Sequence, residues 1–358
     1  MPVRALRSDG QSVQMSSDSP DPSLEPGDGL VQPTRVLLTP ADGGSPASGS
    51  RSGHTGVLGH LFTGIVRQVN IPKDAPASIA QRRSLLGRRV VVSPVVACGH
   101  CDLCRGGLPA HCRSRTVAGI SGRDGGCAEL VAMPLANLHP IPDSLPDDRA
   151  VFAPLVASAL HTAHMLRAEA RAYVTVLGDS ILAMLSAQCL AGLNKSVRLL
   201  TDHPDSSRIC EQWGVKHRPL NDPGRRQDQD AVVDCTGTSA GLRLAMQLTK
   251  PRGIIMLKSS LADVPYPAGK PFPEATDAWA SGVDLTPIVS NELQLIGSRE
   301  GPLPEAIAVL TAGTIDTLPL IGRRFRLDQG PAAMAAAALG GPLGILIEDL
   351  GKAMAKAA

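Results

Sequence analysis

Four cysteines, Cys98, Cys101, Cys104 and Cys112, fall within fifteen residues in the pattern C-x2-C-x2-C-x7-C. Four thiolates on one tight loop can close a tetrahedron around a zinc ion, leaving no position for water or substrate, so this spacing points to one structural zinc per chain. A disulfide framework would instead spread its cysteines along the chain, and half of the eight present sit in this one cluster. His100 and His111 neighbour the set, but four sulfurs already saturate the ion and both histidines read as bystanders.

A second stretch, VLGDSILAML, has the form of a strand, a turn and the start of a helix. A dinucleotide-binding turn asks for three small residues, so that the chain can turn tightly, the pyrophosphate can approach the backbone, and helix and strand can pack. Gly178, Ser180 and Ala183 occupy the three places. Ala183 is an accepted variant. Ser180 is a departure, because its Cβ and hydroxyl point where the phosphate should approach, although the helix N-terminus still offers its amides. About twenty residues on, Asp202 is placed to accept hydrogen bonds from a ribose diol and so to favour NAD. Thr201 is the closer match to the strand end, and a role for Asp202 as N-cap of the helix in PDSSRICEQ stands open beside the ribose role.

These residues must be positioned by regular elements. At 358 residues the chain exceeds one ordinary core, so two domains are expected. Residues 1 to 56 are rich in Ser, Gly, Pro and Asp, and TPADGGSPASGSRSGHTG has no apolar period and reads as a loop. From GHLFTGIVRQVN through GRRVVVSPVVACG, short β-branched runs predict an irregular β-domain. AVFAPLVASALHTAHML then has helical spacing, and strand and helix alternate from AYVTVLGD to GIIMLKSS. That alternation predicts an α/β fold with a doubly wound parallel sheet. The proline-rich stretch 261–287 interrupts the rhythm as an inserted surface loop, after which ELQLIGSR supplies a strand, PEAIAVLTAG a helix, and the tail ends on a further strand.

Composition narrows the partners. A net charge of +2 gives no field for nucleic acid or an anionic membrane, and an aromatic content of 2% removes base-stacking platforms. No apolar run is long enough for a membrane span and the N-terminus lacks the pattern of a signal peptide, so a cytoplasmic protein is expected.

ACGHCDLCRGGLPAHC, with GRDGGCAEL, NLHPIPDSLPDDRAVFA, VVDCTGTSAGLRLAMQLTKPRGIIMLKSS and NELQLIGSREGP, resembles the zinc-containing medium-chain dehydrogenase/reductase family, which includes alcohol and polyol dehydrogenases. The match runs over nearly the whole chain. It implies a GroES-like β-domain over 1–155, completed by 314–358, and a Rossmann nucleotide-binding domain over 156–313, with the active cleft between them. It also implies a second, catalytic zinc that polarises the substrate oxygen. At the positions that match the family's ligands this chain has Ala41, His60, Leu61 and Pro154, so only the histidine can bind a metal. Asp42, His60 and His161 or His164 are the donors from which a metal site could be rebuilt, the two helical histidines sharing one face, though such residues are more often core or surface fillers. Ser45 is the remaining hydroxyl where the family passes the alcohol proton. His60 is thus the candidate catalytic residue, with a packing or hydrogen-bonding role as its alternative.

The resemblance therefore implies an alcohol dehydrogenase-like oxidoreductase with a structural zinc, transferring hydride with NAD or NADP to or from a small-molecule substrate without a catalytic zinc, and forming a homodimer or homotetramer. The competing readings are a catalytically silent relative acting as an interaction or regulatory protein, and a zinc alcohol dehydrogenase with unusual ligands.

Overall fold

The computed structural model describes residues 3–43, 54–74, 77–168, 172–193, 196–224, 227–259 and 283–351. These fall into two units, one built from the described residues up to 157 together with 302–351, the other from the described residues between 158 and 301. The return to the first unit thus comes at 301/302, earlier than the 313/314 expected from the sequence. Helix Leu303–Thr311 packs on helix Asp147–Ala150, and the Arg149 guanidinium donates to the Ile315 carbonyl at 3.0 Å.

In the first unit the long strand Asp28–Leu38 is the axis of a seven-stranded sheet. It pairs antiparallel with Leu61–Val69, Val131–Pro134 and Gly344–Glu348, so the end of the chain completes a sheet begun near its start. The β-branched run Arg89–Val92 joins as a neighbour of Leu61–Val69, with Val90, Val91 and Val92 fully buried. Packing of Leu38, Phe62, Val90, Met133 and Leu138 forms the core, and each such side chain contributes about 1.5–3 kcal/mol on burial. Residues 3–38 are largely strand, and polar composition hid the first two of these strands. Strands Val3–Asp9 and Val13–Ser19 pair with each other at the surface and bury only a few apolar side chains, so no apolar run marks them. Of the low-complexity piece, 44–53 lies outside the described residues.

The second unit is a six-stranded, wholly parallel sheet in the order 216–218, 197–200, 174–177, 229–234, 249–257, 294–297. Numbered along the chain this is 3-2-1-4-5-6, the doubly wound order with its reversal between Val174–Leu177 and Gln229–Asp234. Central strands carry unbroken apolar runs because helices cover both faces of such a sheet. VTVL at 174–177 is buried throughout, and Leu177, Leu200, Val232, Leu242 and Ile255 form one cluster. The strand Lys216–Arg218 has no apolar residue and lies at the sheet edge, which explains why periodicity did not reveal it. The stretch read as an inserted loop, 261–287, lies outside the described residues up to 282, and its end begins helix Thr286–Ser290.

Candidate functional site

The cysteine loop leaves strand Val95–Val96 and returns through Thr116–Ala118, which pairs with it antiparallel, so both ends of the loop are anchored. Its four sulfurs all lie within 4.8 Å of one another. Cys98 to Cys104 is 3.9 Å, Cys101 to Cys104 is 3.4 Å and Cys101 to Cys112 is 3.9 Å. Thiolates about 2.3 Å from a zinc span tetrahedral edges of about 3.8 Å, so the donor set fits the ion. Neither His100 nor His111 joins it, and the His100 ring instead bonds to the Cys98 carbonyl at 2.8 Å. The Cys98 thiol is pulled down to about 5, first by the His100 amide and then by the Ser114 hydroxyl. Cys104 is pushed up to about 12 by burial and by the Cys101 thiol beside it. Four sulfurs this close cannot all ionise alone, and a bound dication removes that conflict.

His60 stands at the start of strand Leu61–Val69, after Gly59. Gly59 has φ +92°, and a Cβ there would lie 2.6 Å from Cys127 Sγ, so the turn that aims His60 requires glycine. The Asp42 carboxylate then fixes the ring. Its Oδ1 accepts from the His60 amide at 3.0 Å and from Nδ1 at 2.8 Å, while Oδ2 accepts from the Thr39 amide at 2.8 Å. Asp42 is buried, and with this acceptor on Nδ1 the other ring nitrogen, Nε2, carries the lone pair. Ala41 lies in the same turn, Leu61 is a core residue, and Pro154 occupies the first turn of helix Ala153–Ala168. None offers a metal donor. Asp42 and His60 therefore meet as a hydrogen-bonded pair, whereas His161 and His164 belong to the second unit. Among the described residues the cysteine loop is the one gathering of three or more metal-donor side chains. Ser45 lies outside the described residues.

In the second unit Gly178 has φ +118° and sits against the Cys235–Thr236 peptide, where an added Cβ would meet Cys235 C at 3.3 Å. Helix Ile181–Leu193 follows. Ser180 caps it, its hydroxyl accepting from the Ala183 amide at 3.1 Å, so one amide that a phosphate would use is already engaged. The Asp179 carboxylate accepts from the Thr201 hydroxyl and, at 3.2 Å, from Ser206. Thr201 is thereby buried and committed to the turn. Asp202 is exposed at the end of strand Val197–Leu200, with Oδ1 accepting from the Leu220 amide at 2.9 Å. It is not the helix cap: His203 is, through its ring and the Asp205 amide. Next to the turn, buried Asp234 bonds Thr236 through Oδ1, while Oδ2 has no partner among the described residues. Burial raises this carboxyl above its usual range. A positive-φ glycine at the sheet reversal, a helix N-terminus, an acid at the next strand end and an unsatisfied buried oxygen together fit a dinucleotide, with Ser180 as the point of poorest fit.

Sequence reasoning missed Lys258, at the end of strand Thr249–Leu257. Its Nζ lies 2.8 Å from Ser158 Oγ, 3.1 Å from the Ser158 carbonyl, 3.3 Å from Ser298 Oγ and 3.4 Å from the Arg299 carbonyl. The one available signal was a lysine closing an otherwise apolar strand, in GIIMLKSS.

The sequence model described as the alcohol dehydrogenase GroES-like domain matches residues 25–143. The chain is similar to starvation-sensing protein RspB of Escherichia coli K12, 33% identical over 279 residues covering 75% of this chain and 76% of that one. It is 28% identical to an L-threonine 3-dehydrogenase of Mesorhizobium japonicum over 76% of each chain. Its fold matches that of the RspB alcohol dehydrogenase from Escherichia coli CFT073 in complex with NADH, with TM-score 0.75, 22% identity and coverage of 97% and 99%.

Proposed function

The chain belongs to the zinc-containing medium-chain dehydrogenase/reductase family, and from that premise we propose that it is an NAD(P)-linked oxidoreductase acting on a small alcohol or carbonyl compound without a catalytic zinc. The observation that carries the reading is the 2.8 Å bond from His60 Nδ1 to Asp42, beside ligand positions that hold Ala41, Leu61 and Pro154.

When bound, a nicotinamide cofactor would supply the hydride chemistry at the carbon bearing the oxygen. The chain must then move one proton at that oxygen. His60 Nε2 takes it from an alcohol, or as the imidazolium returns it to a carbonyl, and Asp42 holds the ring in one tautomer and balances its charge. In the second unit Gly178, Ser180 and Ala183 form the pyrophosphate turn and Asp202 receives the adenosine ribose. Cys98, Cys101, Cys104 and Cys112 hold the structural zinc. The dehydrogenase activity for which the Mesorhizobium japonicum relative is named and the NADH complex of the structural neighbour both support this reading.

A homodimer or homotetramer in the cytoplasm is part of the same proposal. Strand Gln294–Gly297 supports the oligomer, since it ends the parallel sheet with Leu295 44% exposed. Among the described residues no helix is long and apolar enough to cross a membrane.

Elemental analysis combined with NADH and NADPH fluorescence titration tests the proposal. One zinc per chain with nucleotide binding is expected. Two zincs would overturn the metal-free proton transfer, and one zinc with no binding at millimolar nucleotide would overturn the enzyme.

A further inference from the structure

In an open parallel sheet the ligand crevice lies outside the carboxyl ends of the strands, at the point where strand order reverses. Here that point is Gly178, between strands Val174–Leu177 and Gln229–Asp234. Asp202 closes the strand on one side and is the place for the adenosine ribose. The nicotinamide half of a dinucleotide must therefore run the other way, past the ends of strands Gln229–Asp234, Thr249–Leu257 and Gln294–Gly297. The side chains at those ends are Asp234 and Cys235, Lys258, and Ser298.

Lys258 is the cation of this edge. Its ammonium is held by Ser158, Ser298 and the Arg299 carbonyl, all neutral oxygens, and among the described residues no carboxylate comes within ion-pair distance of it. Those partners are themselves fixed, because Ser158 Oγ donates to the Arg299 carbonyl and Ser298 shares a 2.9 Å bond with buried Thr162. Burial lowers the amine to about 8, so at neutral pH the charged form still predominates by about tenfold. Among the described residues no nearby group cancels the charge. The buried Cys235 thiol is pushed up to about 12 and stays protonated, Asp234 turns Oδ1 to Thr236, and Arg299 faces Glu300 at 3.3 Å.

We infer that Lys258 sets the redox preference of the nucleotide site, its fixed ammonium favouring the neutral ring of NAD(P)H over the cationic ring of NAD(P)+. Like charges about 12 Å apart at an effective dielectric near 20 change a binding constant about tenfold. The two redox forms of one nucleotide share the same phosphates, riboses and adenine, so the ratio of their affinities isolates the ring charge. The inference rests on the proposed function, and it directs that function towards carbonyl reduction.

Dissociation constants for NADH and NAD+, measured at pH 7 on the full zinc-loaded chain by calorimetry, test it. The expected result is preference for NADH in the native chain, a ratio about tenfold smaller in Lys258→Met, and a ratio retained in Lys258→Arg, which keeps the charge and guards against a folding artefact. A ratio unchanged between the native chain and Lys258→Met, or lost equally in Lys258→Arg, overturns the inference while leaving the enzyme in place. Absence of binding by either form to the native chain overturns the functional reading itself.

Discussion

Asp42 meets His60 twice through one oxygen, Oδ1 accepting from the backbone amide at 3.0 Å and from ring Nδ1 at 2.8 Å. The amide bond fixes where the residue sits and the ring bond fixes which nitrogen is free. Such a pair orients a histidine for metal binding or for proton transfer with equal ease. With Ala41, Leu61 and Pro154 at the neighbouring ligand positions, the use we propose for it here is proton transfer.

His60→Ala is expected to lower kcat by about 10²–10⁴-fold while NADH affinity stays unchanged. Asp42→Asn should also lower kcat, by less, because the ring stays but its tautomer is no longer imposed. Steady-state kinetics set beside NADH titration separates the two quantities. A change confined to nucleotide affinity would contradict the assignment.

Cys101→Ser removes one sulfur from a closed site. Zinc content should fall from one to near zero per chain, with a clear drop in thermal stability, since binding energy at a structural zinc is folding energy. Elemental analysis and a melting curve decide the point. Full zinc retention would show that Cys98, Cys104 and Cys112 suffice.

Ser180→Gly is expected to tighten nucleotide binding several-fold. It frees the Ala183 amide from the serine hydroxyl and restores the glycine that lets a phosphate approach the backbone. Glycine remains an adequate cap, so the stability cost should be only a few tenths of a kcal/mol. Weaker NADH binding in the variant would show that the serine hydroxyl itself holds the phosphate.

Asp148 predicts an acid response. Burial alone raises its carboxyl, but hydrogen bonds from Arg324 at 2.6 Å and Arg35 at 2.5 Å outweigh burial and lower it. A lowered value in the folded state gives stability that is present above the unfolded value near 4 and is lost as pH falls through the folded one. Asp148→Asn should therefore be less stable than the native chain by about 1–2 kcal/mol at pH 7. The gap should close below about pH 4, as read from urea unfolding at several pH values. A gap of constant size down to pH 2 would refute the role of the ion pairs.

The α/β class and the cysteine loop were legible because each is written in local spacing. Strand and helix alternate at fixed lengths from 172 to 259, and four thiols close together leave few geometries open. Strands Val3–Asp9 and Val13–Ser19 were hidden because surface strands with polar faces carry no apolar run. Asp202 was placed near the right strand end, but its competing role as a cap went to His203, one residue later, by backbone angles that composition does not specify.

By itself, then, the sequence determined which donors exist, which are missing, and that a doubly wound sheet would present Gly178 at a turn. Tertiary structure alone decided what those donors touch. Asp42 and His60 are eighteen residues apart and become partners because antiparallel pairing sets Leu37 opposite Leu61, bringing the end of one strand beside the start of the other. Lys258 meets Ser298, forty residues away, because parallel pairing of Leu257 with Gly297 sets the two strand ends side by side. Contacts across such distances depend on register and packing, which no local pattern encodes.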